Sequence, residues 1–175
     1  MKKIVFLMFM LLLSKVYAAE PEIQEVKSLF QASAKSKTAA DQLLKLLAEV
    51  TESSSPLLIG YKGAAEMMQA KYAWSPISKV KRFNNGKHLI ETAVKKAPDH
   101  LEIRFLRLAI QTNLPAFLNY NDDIQNDKKF VLANLKNSKD KTLKQNIVKY
   151  LSTSKYCTAE EKKELNLELL KHNHG

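Results

Sequence analysis

Only three arginines occur among the 28 Lys and Arg of this chain. Two of them, Arg104 and Arg107, stand about one turn apart, with Gln111 on the same side of a predicted helix. A guanidinium fork grips a carboxylate through two parallel N–H groups, which an ammonium cannot do. Asp122, Asp123 and Asp127 follow a short way along the chain. Two chemistries fit: an internal salt bridge across the intervening turn, or a clamp on a ligand carboxylate. The internal bridge is preferred, because the chain supplies its own acids. Those three Asp do not make a calcium loop, whose alternating ligands need a glycine that is absent here. At a helix start they complement the positive end of the helix dipole.

A second group mixes rings with cations. Tyr61, Tyr72, Trp74 and Phe83 are interleaved with Lys62, Lys71, Lys79, Lys81, Arg82 and Lys87. Such a mixture can present aromatic faces and positive charge to an anionic ligand. At helical spacing the preferred reading is a core of aromatics with lysines in water. With the adaptable Met67 added, the candidate contact residues are Tyr61, Lys62, Met67, Lys71, Tyr72, Trp74, Arg82 and Lys87, within residues 57–90.

The remaining reactive residues converge on nothing. His88 and His100 are isolated, and His172 and His174 sit in a tail without a partner pair, so a structural metal lacks its set of about four ligands. Cys157 is the single cysteine, which excludes an internal disulfide and metal sites built on paired cysteines. It is expected as a small, half-buried residue near a helix start. There is no GxSxG, no HExxH and no Gly-rich loop after a strand. No catalytic residue, metal or cofactor is therefore expected, and the chain is predicted not to be an enzyme.

What positions these residues is a set of helices behind an export signal. Lys2 and Lys3, the apolar stretch Ile4 to Leu13 and the small residues ending at Ala18 form the three parts of a secretory signal peptide over residues 1–18, with cleavage after Ala18 or Ala19. Residues 19–175 are expected to form one all-helical domain. The composition is that of a globular chain, 45% hydrophobic and 26% charged with four Gly and five Pro. No run is long and apolar enough for a spanning helix after the signal.

Apolar positions recur at three and four, without the alternation of strands. Helices are predicted over 21–34, over 39–50 after a Thr38 cap, from Ser55-Pro56 to Tyr72, and from Ser75-Pro76 to Ala97 as one helix, with Asn84-Asn85-Gly86 a candidate break or bend within it. Asp99, with Glu102 reaching back, caps the next helix, which runs through Thr112. A helix from Asn121, one capped by Ser138, and one capped by Thr158 with Glu161 complete the chain. The fold class is all-α: about seven or eight antiparallel helices stacked as hairpins, in a right-handed superhelix like that of tetratricopeptide repeats or in a compact bundle.

Two resemblances accompany this pattern. Gly86, Ile90, Ala93 and Pro98 are spaced as in the second helix of a tetratricopeptide repeat, where small residues admit close packing before a terminating proline. The run LEIRFLRLAIQTNLPAFLNYNDDIQNDKKF at 101–130, together with GYKGAAEMMQAKY at 60–72, resembles an uncharacterised family of exported bacterial all-helical proteins. That likeness implies a helical fold and export, and carries no activity.

The formal charge of +10 falls to +7 once Lys2, Lys3 and Lys15 leave with the signal. It is concentrated in residues 62–98 and 128–155. The expected function is that of an exported, non-enzymatic interaction module, periplasmic or extracellular, which binds a protein or peptide partner. The alternative is a polyanion binder, for glycans or lipid headgroups, acting through the two basic blocks. No specific nucleic-acid recognition is expected.

Overall fold

The computed structural model describes residues 20–173, with side chains to residue 168. The expected signal peptide and His174 lie outside the described residues, as does the side chain of His172. The described residues form eight α-helices and no strand. These are α1 (Ile23–Ser33), α2 (Lys37–Leu46), α3 (Pro56–Tyr72), α4 (Pro76–Lys96), α5 (Leu101–Asn113), α6 (Ile124–Asn134), α7 (Lys141–Thr153) and α8 (Ala159–Asn173). Single 3-10 turns at Ala116–Leu118 and Leu135–Asn137 complete the connections.

Local chemistry sets the boundaries. Pro56 and Pro76 open α3 and α4, where a missing N–H costs nothing. Ser75 accepts from the Ser78 amide, and Thr158 and Glu161 exchange hydrogen bonds with each other's amides at 2.8 and 3.2 Å. Three caps differ from expectation. Ser36, not Thr38, caps α2 by accepting from Ala39. His100, not Asp99, caps α5 through Nδ1, and Asp140, not Ser138, caps α7 by accepting from Leu143. α4 runs through Asn84, Asn85 and Gly86 as the one helix expected. After Ala116–Leu118 the chain reverses at Asn119, whose φ of 46° is left-handed and tolerable for Asn.

Consecutive helices pair as four hairpins, α1/α2, α3/α4, α5/α6 and α7/α8. The closest of these is α3 on α4, where Gly63 faces Gly86. A Cβ on Gly63 would lie 2.8 Å from the Gly86 carbonyl and 2.9 Å from Ile90, so only glycine permits this approach.

Odd helices stack on odd helices: α1 and α5 both pack on α3, and Phe105 of α5 meets Tyr150 of α7 edge-on at 5.6 Å. α5 separates two cores. Ile103 and Leu106 join Val26, Leu43, Ile59 and Ile90 on one side, and Leu108 joins Val131, Ile147 and Leu151 on the other. Each such buried aliphatic contributes on the order of 1.5–3 kcal/mol. Lys27 of the first hairpin reaches Asp140 at the start of the fourth, at 3.2 Å.

Candidate functional site

Arg107 is 5% exposed and Asp127 is 0% exposed. Nε and Nη2 of Arg107 donate to the two oxygens of Asp127 at 2.7 and 2.9 Å, the bidentate geometry of a guanidinium fork. Its Nη1 meets Glu91 at 2.8 Å and Asp123 at 3.1 Å. Burial opposes the charge on Arg107, yet Asp127, Glu91 and Asp123 together hold its pKa above the ordinary value. Arg104 adds Nε to Asp127, donates to the Pro98 carbonyl at 3.1 Å and lies over the Phe130 ring.

The internal-bridge reading of the sequence therefore holds, with the fork belonging to Arg107. No fork remains for a ligand carboxylate. Tyr120 closes this cluster by donating to Glu91, and burial followed by Glu91 pushes its phenol up. Gln111 is buried beside Tyr120, with its amide outside hydrogen-bond geometry.

A second buried network joins all four odd helices at one end. Tyr61 of α3 donates to Glu102 of α5 at 2.6 Å, and Lys27 of α1 bridges Glu102 at 2.8 Å and Asp140, the cap of α7, at 3.2 Å. Burial works against the Lys27 ammonium, but Glu102 and Asp140 raise its pKa. Glu102, expected to reach back to a cap, is drawn inward by these partners instead.

The eight candidate contact residues separate on folding. Tyr61 is corrected to the core: it is buried, edge-on to Phe30 at 5.3 Å, and its hydroxyl is committed to Glu102. Lys62 is corrected to a structural role, donating to the Ala48 and Val50 carbonyls just beyond α2 at 2.8 and 2.6 Å. Met67 packs on Gly86 and Tyr72 is half-buried, its hydroxyl 3.4 Å from the Ser33 carbonyl. Arg82 pairs with Glu66 at 2.9 Å, and Lys87 lies over the Tyr120 ring at 4.9 Å. Only Lys71 and Trp74 of the eight stand in open solvent.

Trp74 does not stand alone. It is fully exposed, and Ile77 and Val80 behind it are 82% and 55% exposed. Ile77 and Val80 share one face of α4 at i, i+3 spacing. The buried residues of α4 are Gly86, Ile90, Ala93 and Val94, from its middle to its C-terminal end, whereas its N-terminal half, which meets α3 through the Arg82–Glu66 pair, leaves the face of Ile77 and Val80 uncovered. Trp74 precedes the Ser75 cap, a position from which a ring commonly staples onto the fourth helical residue. Here that residue is Lys79, and the ring finds no apolar partner there.

Sequence reasoning did not single out Ile77 and Val80 as exposed; the staple position filled by Lys79 was the signal that could have drawn attention to them. Beside these residues, Lys71, Lys79 and Lys81 are exposed. Cys157 is a buried free thiol, its pKa raised by burial and then by Glu161. Among the described residues no group of three or more His, Cys, Asp or Glu could hold a metal ion, and no helix is long and apolar enough to cross a membrane. Comparison with protein-family models, curated proteins and solved structures finds no match.

Proposed function

We propose that this chain is an exported, non-catalytic interaction module that docks onto an anionic partner surface through the turn between α3 and α4. The observation that carries this reading is the fully exposed Trp74 beside exposed Ile77 and Val80, bordered by Lys71, Lys79 and Lys81. Solitary exposed apolar residues are ordinary on protein surfaces, whereas a grouped patch ringed by polar residues marks an interaction site. Export rests on the sequence of residues 1–18.

A second reading, a protein or peptide partner seated in a groove, draws on an apolar cleft of about 460 Å³ lined by Ile23, Pro56, Leu57 and Leu58. The two readings part in one experiment. The processed protein is mixed with the envelope fraction of the producing cell, and retention is compared for wild type and a Trp74→Ser, Ile77→Ser variant of equal thermal stability. Loss of retention in the variant supports docking by the turn. Undiminished retention overturns it in favour of the cleft.

A further inference from the structure

Resting on the docking reading above, we infer that the occupant of the α3–α4 turn is an anionic lipid bilayer surface, into whose headgroup region Trp74, Ile77 and Val80 insert. Three features of the turn carry this. Ile77 and Val80 point away from both cores, and burying them is favourable only in an apolar medium. Glycans and nucleic acids offer charge without hydrocarbon, so they satisfy the lysines and leave the aliphatics wet. Trp is the side chain best suited to the boundary between headgroups and acyl chains, its ring apolar and its indole N–H polar.

Charge then selects the lipid. Among the described residues no carboxylate pairs with Lys71, Lys79 or Lys81; the nearby Glu66 is taken by Arg82, and Asp41 by Lys37 and Gln69. These exposed ammonium groups lie on the same turn as the apolar residues, Lys81 on the Ile77 side of α4, the pairing of charge with an apolar tip by which a peripheral protein binds anionic headgroups. A second copy of this chain is a poor occupant, because two such basic turns brought together repel. A groove-bound peptide is also poorly matched, since the clefts around Leu57 and around Tyr150 are lined by residues of other segments and the turn residues stand exposed.

The chain contains one Trp, so its emission reports on this turn alone. The processed protein is titrated with vesicles of phosphatidylglycerol mixed with phosphatidylcholine, and with vesicles of phosphatidylcholine only. The expected result is a blue shift of Trp74 emission and cosedimentation with the anionic vesicles, reversed by salt. Ile77→Ser with Val80→Ser should abolish the shift while the thermal midpoint stays unchanged. Lys79→Gln and Lys81→Gln should each weaken partitioning by about fivefold.

Absence of a shift on anionic vesicles, or an equal shift on neutral ones, overturns the lipid assignment. If retention on the envelope fraction nevertheless depends on Trp74 and Ile77, docking by the turn survives and its partner is a protein or glycan. If neither vesicles nor envelope respond to the variants, both readings fail.

Discussion

Replacing Arg107 by Lys keeps a positive charge in the same place and removes only the fork. In the structure that fork makes two hydrogen bonds to the oxygens of Asp127, while a third nitrogen holds Glu91 and Asp123. One ammonium cannot reach all of these. Hydrogen bonds to charged groups contribute about 1.5–3 kcal/mol each, so Arg107→Lys should cost about 2–3 kcal/mol. Arg104 approaches Asp127 through one nitrogen, with a side chain 16% exposed against 6% for Arg107, so Arg104→Lys should cost under about 1 kcal/mol. Asp127→Ala removes the carboxylate that both guanidinium groups share, leaving Arg107 with Glu91 and Asp123 and Arg104 with the Pro98 carbonyl, and should cost about 3–5 kcal/mol.

Against a typical total stability of about 5–15 kcal/mol, the last change approaches the limit of folding, which makes the two Lys variants the decisive pair. Urea unfolding measures them if the slope with denaturant is unchanged. The thermal midpoint should fall by about 4–12 °C for Arg107→Lys. Equal losses for Arg104→Lys and Arg107→Lys would refute the assignment of the fork. So would a loss for Asp127→Ala no larger than that for Arg107→Lys.

Gly63→Ala should destabilise by about 1–3 kcal/mol in the same assay, because the new methyl meets the Gly86 carbonyl and the Ile90 backbone. Gly60→Ala, whose Cβ meets only Ala93 and Leu106 side chains at 3.5 Å, should be neutral or stabilising by up to about 1 kcal/mol; equal costs at the two positions would disprove the close approach. Asp140 and Glu161 have lowered pKa values, Asp140 chiefly through the Leu143 amide and then Lys27, Glu161 through Lys128 and Thr158 against the opposing effect of burial. Their contribution is present above the ordinary carboxylate values of about 3.9–4.3 and is lost as pH falls through the folded values. The urea midpoint should therefore hold from neutrality to about pH 5 and decline below about pH 4, less steeply for Glu161→Gln; identical acid slopes would contradict the pairing.

The helices were legible because spacing and proline placement are local properties. Pro56 and Pro76 sit at helix starts, and Leu43, Leu47, Ile90, Ile147 and Leu151 are buried as the three-to-four pattern requires. The caps were less legible because Thr38, Asp99 and Ser138 are chemically adequate caps, and the choice among neighbours depends on where the backbone leaves helical geometry. Glu102 shows the tertiary contribution: its distance from Asp99 suits a capping box, but Lys27 and Tyr61, far away in sequence, bind its oxygens. The hairpin stack was legible as a class and not as a period, since the odd helices begin at Ile23, Pro56, Leu101 and Lys141, in unequal steps.

Charge composition was informative only in part, and the folded chain shows why. The two basic blocks look equivalent along the sequence, but the second spends part of its charge internally. Lys128 donates to the Tyr156 carbonyl at 3.0 Å and meets Glu161 at 2.9 Å, and Lys144 meets Glu168 at 2.7 Å, both Lys side chains largely withdrawn from water. In the first block Lys62 and Arg82 are likewise used up, whereas Lys71, Lys79 and Lys81 remain free of carboxylates beside a Trp, an Ile and a Val that no helix covers. Block 62–98 is distinguished by the coincidence of unspent charge with unburied apolar surface, and the sequence conceals this because Ile77 and Val80 keep helical spacing whether or not a neighbour exists to cover them. An uncovered apolar face is unfavourable in water, and that cost is relieved only when something apolar meets it. The turn at Trp74 is therefore where grouped exposed apolar side chains and unspent positive charge coincide among the described residues.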